Sequence, residues 1–404
     1  MGEDLIGRRY LDRIVDSKGN GVVIYEASMS SYVLNAERMA TPIYPHDAGT
    51  IVSMLELHPE RPDEGEGEGE ELDGPFEVFE AGTGMGSLTL HIARALHAGN
   101  RGMSRDMREA VASAGVKRLN GSVWSVPEGV DESVTDPAER RTLGGVESLT
   151  LARLEVSDTL AARLRGWQDS RRYVLHSLDR NVAHAREAWR FLRGFRAGMY
   201  LPNVDVHIGS VDAYLGGRLA RRGDRPFLSR AVLDMPSPQD FAAPVVRALR
   251  TNGLLVVFNP SISQIAEFAR WTAEDEVGKR LKLEKVVELA NTVSVSAAED
   301  GGLNDGGGGR AWDVRTVVPR SREGDGERGA VAQVMRPKVG DRVGGGGFVA
   351  VFRKWPVREE GGSVVEEGSL GEETEQDEVV TEAEEVSIEG EPTKREDTRE
   401  EGTK

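Results

Sequence analysis

The segment Phe79-Glu80-Ala81-Gly82-Thr83-Gly84-Met85-Gly86-Ser87-Leu88-Thr89 sets an acidic residue ahead of three alternate glycines and a hydroxyl-bearing run. Glycines permit a sharp turn and a close approach of ligand to backbone, and the N-terminus of a following helix offers N–H groups to a polar ligand. Dinucleotide dehydrogenases usually show Gly-x-Gly-x-x-Gly with a later helix start, so this spacing favours S-adenosylmethionine over NAD. Asp234 is the second chemical candidate. It closes the apolar run Arg230-Ala231-Val232-Leu233 and precedes Met235-Pro236-Ser237-Pro238. A carboxylate there can stabilise developing positive charge or accept a proton; the alternative is an aspartate that caps the next turn. The chain has no cysteine, which excludes thiol nucleophiles, disulfides and cysteine metal sites, and its seven histidines show no His-x-x-x-His pair.

The elements that must position these residues follow from periodicity. Phe76 to Phe79 reads as a short buried strand and Leu88 to Leu96 as a helix with one apolar face, so strand, glycine turn and helix arrive in order. Strands are expected at 172–176, 204–208, 230–234 and 254–258, with helices at 181–192, 240–250 and 262–272. Such alternation implies a parallel sheet covered by helices on both faces. Strand-like segments at 286–287, 293–295 and 347–352 follow without a crossover helix, so the last pair should be antiparallel. Upstream, Val22 to Tyr25 and Ser31 to Leu34 read as short strands, Thr41 to Asp47 as a proline-punctuated turn, and Ala48 to Leu57 as a helix. The expected class is α/β: a Rossmann-like class I methyltransferase sheet, mostly parallel and seven-stranded with an antiparallel last strand. The expected domains are a small N-terminal β element (1–45), the main domain (46–356) with insertions at about 100–170 and 300–330, and a tail (357–404).

The net charge of −17 is concentrated in two places. Residues 358–404 hold 18 acidic against 5 basic residues, and 61–73 hold 7 against 1, leaving the remainder close to neutral. Both segments are read as solvated and unfolded. No run of about 18 apolar residues exists, which argues against a membrane span. No transit peptide is visible in Met1-Gly2-Glu3-Asp4-Leu5.

Three motifs in order, Tyr44-Pro45-His46-Asp47, Glu80 to Thr89 and Leu233 to Pro238, resemble the tRNA (adenine-N1)-methyltransferase family that modifies adenosine 58 of the T-loop. Phe258-Asn259-Pro260-Ser261-Ile262-Ser263-Gln264-Ile265, Arg310-Ala311-Trp312-Asp313-Val314-Arg315, and Met335-Arg336-Pro337 with Gly344 to Phe352 are similar to its later segments. The resemblance covers roughly 1–100, 172–320 and 333–355. It implies S-adenosylmethionine as cofactor, tRNA as substrate, Asp234 as catalytic aspartate and Tyr44 near the acceptor base. For the cofactor it implies Glu80, Gly82, Thr83, Gly84, Met85, Gly86, Ser87, Leu88, His176, Asp179, Ser210, Asp212 and Asp234. Its members form tetramers, either of one chain or with a non-catalytic paralogue, and Tyr200, Val349 and Val351 are apolar enough for such an interface. Ala40 to Pro45 and Asn203 to Val206 look closer to its mitochondrial branch; the alternative is the nucleus.

Two departures from the family stand out. Alignment puts His176 where an acid normally takes both ribose hydroxyls of the cofactor, and an imidazole offers at most one acceptor. Asp179 either substitutes for that acid or is a first-turn helix residue. The family's Gly-Asp after the third strand reads Gly209-Ser210 here, with Asp212 two positions on. Asp47 either reaches the cofactor or caps its helix. Arg186, Arg190 and Arg193 share one helix face beside Trp189, Phe191 and Phe195, with Arg163, Arg165, Arg171 and Arg172 upstream; they form either a phosphate-gripping patch or an ordinary solvated face. Rival readings are a non-catalytic tRNA-binding assembly subunit, which His176 and Ser210 favour and the glycine loop opposes, and a methyltransferase acting on protein or small molecules.

Overall fold

The computed structural model describes residues 7–19, 21–24, 26–61, 74–117, 145–290 and 345–356, together with the backbone of 312–317 and 332–337. The acidic segment after 61, the tail from 357, the strand expected at 293–295 and the glycine-rich insertion on either side of 312–317 lie outside the described residues. The strands are β1 (Arg13–Val15), β2 (Gly21–Val23), β3 (Phe76–Ala81), β4 (Gly115–Val116), β5 (Glu147–Leu149), β6 (Leu154–Glu155), β7 (Tyr173–Asp179), β8 (Val204–Ile208), β9 (Leu228–Leu233), β10 (Leu249–Asn259), β11 (Leu281–Leu289), β12 (Trp312–Val317), β13 (Ala332–Pro337) and β14 (Gly347–Lys354). The helices are α1 (Met29–Asn35), α2 (Pro45–Met54), α3 (Ser87–Leu96), α4 (Arg105–Ser113), α5 (Asp158–Asp169), α6 (Val182–Gly194), α7 (Val211–Arg221), α8 (Ala242–Ala248) and α9 (Ile262–Glu274).

One sheet of eight strands runs β11-β14-β10-β9-β3-β7-β8-β5. The pairs β8–β7, β7–β3, β3–β9 and β9–β10 are parallel. β14 is antiparallel to both β10 and β11, as two strands joined without a crossover helix should be. This is the class I methyltransferase order, extended by one strand: β5, from the insertion before residue 170, adds an antiparallel edge beside β8. The chain proceeds outward from β3 through β7 to β8 and then returns to β9 on the other side of β3. That reversal leaves a crevice above the carboxyl ends of β3 and β9, where sheets of this kind bind ligands.

The central strands are buried on both faces, so they read as continuous apolar runs. Val78, Leu175, Val232 and Val256 pack on one side with α3 and α6, while Phe79, Leu178, Leu233 and Val257 pack on the other with α7, α8 and α9. Val349 and Val351, proposed above as interface residues, belong to this core. Tyr200 packs on Phe195 and on the edge of His97.

One local expectation is corrected. Ser31 to Leu34 is helical, not extended: Ser28 caps α1 by accepting the Ser31 N–H, and Met29, Tyr32, Val33 and Ala36 fall at helical spacing on one side. The segment 100–170 contains ordered structure in α4, β5, β6 and α5, the last started by a Ser157 cap. β1 and β2 form a separate antiparallel hairpin.

Candidate active site

The three glycines of the loop after β3 have three distinct jobs. Gly82 (φ +100°) lies where a Cβ would sit 1.9 Å from the Asp234 carbonyl oxygen, so a side chain there collides with the end of β9. Its N–H donates to Leu178 O at 2.9 Å, and Asp234 N–H donates to Ala81 O at 2.9 Å, which ties the three strand ends together. Gly84 (φ +54°) faces open space apart from Ala40 Cβ at 3.8 Å, and its N–H donates to Asp179 Oδ2 at 3.0 Å. Gly86 (φ +87°) opens α3 and lets Ala188 of α6 approach to 3.2 Å of a virtual Cβ. Strand-end turn, open face and helix packing are thus divided among them.

The loop's side chains mostly point into the body. Thr83 Oγ1 pairs with Ser177 Oγ at 2.7 Å, Ser87 Oγ donates to Ile43 O at 2.5 Å, and Met85 and Leu88 are buried in the core. What Gly82 to Gly86 presents outward is therefore chiefly backbone.

Glu80 is fully buried. Its Oε2 accepts from Ser177 Oγ at 2.6 Å and Thr89 Oγ1 at 2.7 Å, while Oε1 has no partner among the described residues. Burial pushes its pKa up to about 8, with the charges of Asp234 and Asp179 adding to the rise. Asp234, half-buried at the end of β9, is pushed up to about 7 by burial and then by Asp179. A cluster of three carboxyl groups therefore surrounds the loop, and among the described residues no lysine or arginine forms an ion pair with it.

Asp179 is the acid at the strand end. Leu178 pairs with Ala81, so Asp179 stands level with Gly82 at the crevice. Its Oδ2 accepts from Gly84 N–H, its Oδ1 from Asn181 N–H at 2.8 Å, and His184 Nδ1 lies 3.4 Å from Oδ2. His176, expected at this place, pairs with Phe79 three residues further down the strand and is buried. Its Nε2 meets Glu77 Oε2 at 3.0 Å and its Nδ1 meets His207 Nε2 at 3.1 Å, so both ring nitrogens are engaged away from the crevice. The cofactor role assigned to His176 is corrected accordingly. The apolar run through Leu178, with Asn181 as a helix cap beyond it, was the available signal for the true strand end.

Ser210 caps α7, its Oγ accepting from Ala213 N–H at 3.1 Å, and Asp212 lies in that helix's first turn. Gly209 immediately precedes them and donates its N–H to Asp179 O at 3.1 Å. Tyr44 is only 8% exposed and starts α2 ahead of Pro45, with the Arg38 guanidinium 5.7 Å above its ring. Stacking of a base on that face requires Arg38 to move aside. Asp47 does not cap α2: its Oδ2 accepts from Gly345 N–H at 2.6 Å and fastens α2 to the approach of β14, while burial raises its pKa.

The arginine patch is largely structural. Arg193 donates to Val111 O and Ala114 O, Arg171 forms a buried pair with Asp205, Arg163 pairs with Asp106, and Arg172 reaches Arg61 O and Glu60. Arg165, Arg186 and Arg190 are exposed, the last beside Glu187. Trp189, Phe191 and Phe195 are core.

Beneath the crevice lies a buried polar network that the sequence did not reveal. Glu77 accepts from Arg218 at 2.6 Å and from His176, with Arg222 at 3.4 Å. Burial alone would raise the Glu77 pKa, but the His176 and Arg218 contacts hold it down at about 2. His207 is held at about 3 by burial and by neighbouring His176. A depressed acid contributes stability above its ordinary pKa that is lost as pH falls, and a histidine buried neutral loses stability below its ordinary 6.5, so both favour acid unfolding. Glu77→Ala strands Arg218 and His176 without their partner; equilibrium denaturation should show a loss of about 3–5 kcal/mol, the usual cost of breaking a buried pair.

No protein-family model matches the chain. It is 35% identical over 85 residues to the tRNA (adenine(58)-N(1))-methyltransferase TrmI of Thermus thermophilus, with the same figures for the enzyme of two strains. The match spans 21% of this chain and 27% of that enzyme, so the chain matches about a quarter of its relatives' length. Among solved structures it is similar to a SAM-dependent O-methyltransferase from Thermotoga maritima (TM-score 0.44, 12% identity, 89% of this chain and 83% of that one). It is also similar to the tRNA (m1A58) methyltransferase TrmI from Aquifex aeolicus (TM-score 0.39, 11% identity, 86% and 91%).

Proposed function

We propose that this protein transfers a methyl group from S-adenosylmethionine to N1 of adenine 58 in the T-loop of tRNA. The observation that carries the reading is Asp234: a carboxylate at the end of β9, bonded through its backbone to the end of β3 and packed against Gly82. The partial match to TrmI and the Tyr44-Pro45 and Asp234-Met235-Pro236 segments support tRNA adenine as the acceptor.

The residues fit the cofactor. Each Asp179 oxygen takes one backbone N–H and keeps a lone pair for a ribose hydroxyl. Gly84 leaves room for close approach, and the Glu80 Oε1 that no protein group satisfies among the described residues suits a cationic or donor-bearing ligand. When bound, S-adenosylmethionine supplies an electrophilic methyl carbon on a sulfonium. The chain's own task is to hold the acceptor in line with it and to answer the charge that forms on the acceptor. As adenine N1 donates its lone pair, positive charge spreads to the exocyclic amine. Asp234 accepts a hydrogen bond from that amine and stabilises the charge.

Because Asp234 must be ionised to do this and its pKa stands near 7, kcat/KM for tRNA should rise about tenfold per pH unit below that value and level off above it. A cationic ligand favours the ionised form, so the inflection in kcat should lie lower. Initial rates between about pH 5.5 and 9 check this; a flat profile would remove Asp234 from the reaction. The direct test uses unmodified tRNA transcripts, with and without adenine at position 58. Methylation confined to the adenine-bearing transcript is expected, and methylation of both refutes the assignment. The rival reading as a non-catalytic assembly subunit drew support from His176 and Ser210, and Asp179 at the strand end counts against the first of these. Association into a tetramer, with itself or a paralogue, is part of the proposal.

A further inference from the structure

The sheet does not stop at β8, and its extra strand β5 continues the row of strands beyond it. Glu147 pairs with Ile208 in the antiparallel β5–β8 ladder, which sets Val146 opposite Gly209 at the carboxyl edge of β8. Val146 Cγ2 lies 3.1 Å from where a Cβ on Gly209 would stand, so the missing side chain of Gly209 is what lets Val146 settle there. Gly209 is in turn bonded through its N–H to the carbonyl of Asp179, the strand-end acid. Asp179, Gly209 and Val146 therefore follow one another across the neighbouring ends of β7, β8 and β5, and Val146 is left 39% exposed.

The strand that carries Val146 is firmly held. Ser148 Oγ meets His207 Nδ1 at 2.8 Å, which continues the chain of contacts from Glu77 through His176 to His207 out to the inserted strand. Arg153 reaches back to Glu147 Oε1 and to Ser148 O, each at 2.6 Å, and Leu149 is buried. A lone exposed valine is usually ordinary surface. This one lies beside Gly209 on a strand anchored to a buried network.

We propose that Val146 forms the outer wall of the pocket for the adenine ring of the adenosyl cofactor, so that the insertion completes a binding site which the seven-stranded frame leaves open. This inference rests on the adenosyl-binding reading given above. An aliphatic wall suits the flat apolar face of a purine, whereas the ribose is held by the carboxylate of Asp179.

The test is calorimetric binding of S-adenosylhomocysteine and of 5′-methylthioadenosine, which lacks the amino-acid end, to the full chain and to Val146→Asn and Val146→Ile. We expect Val146→Asn to weaken both ligands by the same factor, about tenfold, the usual order for losing one aliphatic contact. Val146→Ile should stay within about twofold of wild type for both ligands, with the thermal midpoint of each variant unchanged. Wild-type affinity retained in Val146→Asn, or a loss limited to S-adenosylhomocysteine, overturns the wall. If Val146→Asn lowers the thermal midpoint and Val146→Ile also loses affinity, Val146 is only a packing residue and the wall is likewise overturned. A wild-type chain that binds neither ligand overturns the adenosyl-binding reading itself and this inference with it.

Discussion

Asp234→Asn is expected to lower kcat for tRNA methylation by about 10²–10³-fold, the range for removing one well-placed charge-stabilising group. Affinity for S-adenosylhomocysteine should change by no more than a few-fold, because the ribose carboxylate and the glycine turn are untouched. The folded state should gain at alkaline pH. Burial raises the Asp234 pKa to about 7, well above that of an exposed aspartate, so between those values the folded chain binds the proton more tightly than the unfolded chain does. Stability contributed by the protonated form is present at low pH and is lost as pH rises through about 7, and the amide abolishes that loss. Single-turnover rates, binding titrations and thermal unfolding at about pH 8 separate these three effects. A variant that keeps its rate, or that fails only because it no longer binds cofactor, contradicts the role given to Asp234.

Gly82→Ala should be the most disruptive single change in the loop. The added Cβ would stand 1.9 Å from the Asp234 carbonyl oxygen, and the backbone at φ +100° already disfavours any side chain. Backbone on both sides leaves no flexible group to give way, so the ends of β3 and β9 must separate. A loss of roughly 3 kcal/mol or more follows from combined overpacking and backbone strain, with the thermal midpoint about 10 °C lower and no measurable cofactor binding. Gly84→Ala serves as the contrast. Its Cβ meets only Ala40 at 3.8 Å, so it should cost about 1 kcal/mol from φ alone and act mainly on ligand affinity. Equal losses in the two variants would mean that the turn, rather than contact with Asp234, sets the cost.

Much of this architecture was legible without coordinates. The strand at 204–208 was read to its residue bounds, and the glycine loop fell between a strand and a helix as expected. Both are local patterns: a fully buried strand is a continuous apolar run, and a turn with positive φ selects glycine. The 29–35 helix was misread because its few apolar and polar positions fit either period, and the Ser28 cap that decides it lies outside the run. The edge strand β5 carried no signal of its own, since a three-residue strand becomes one only when β8 offers its free edge.

By itself, the sequence determined the succession of the strands β3, β7, β8, β9 and β10, the turn at Gly82 to Gly86 and the candidacy of Asp234, because each depends on residues close together in the chain. Only the tertiary structure decided which acid stands at the end of β7, that His176 joins Glu77 and His207 instead of the crevice, and that Arg171 and Arg193 are spent on a buried carboxylate and on backbone carbonyls. The reason is register. The face a residue shows is fixed by its local period, but its height against a neighbouring strand is set by packing between segments about 100 residues apart, and a shift of three residues along β7 separates an acid at the strand end from a buried imidazole.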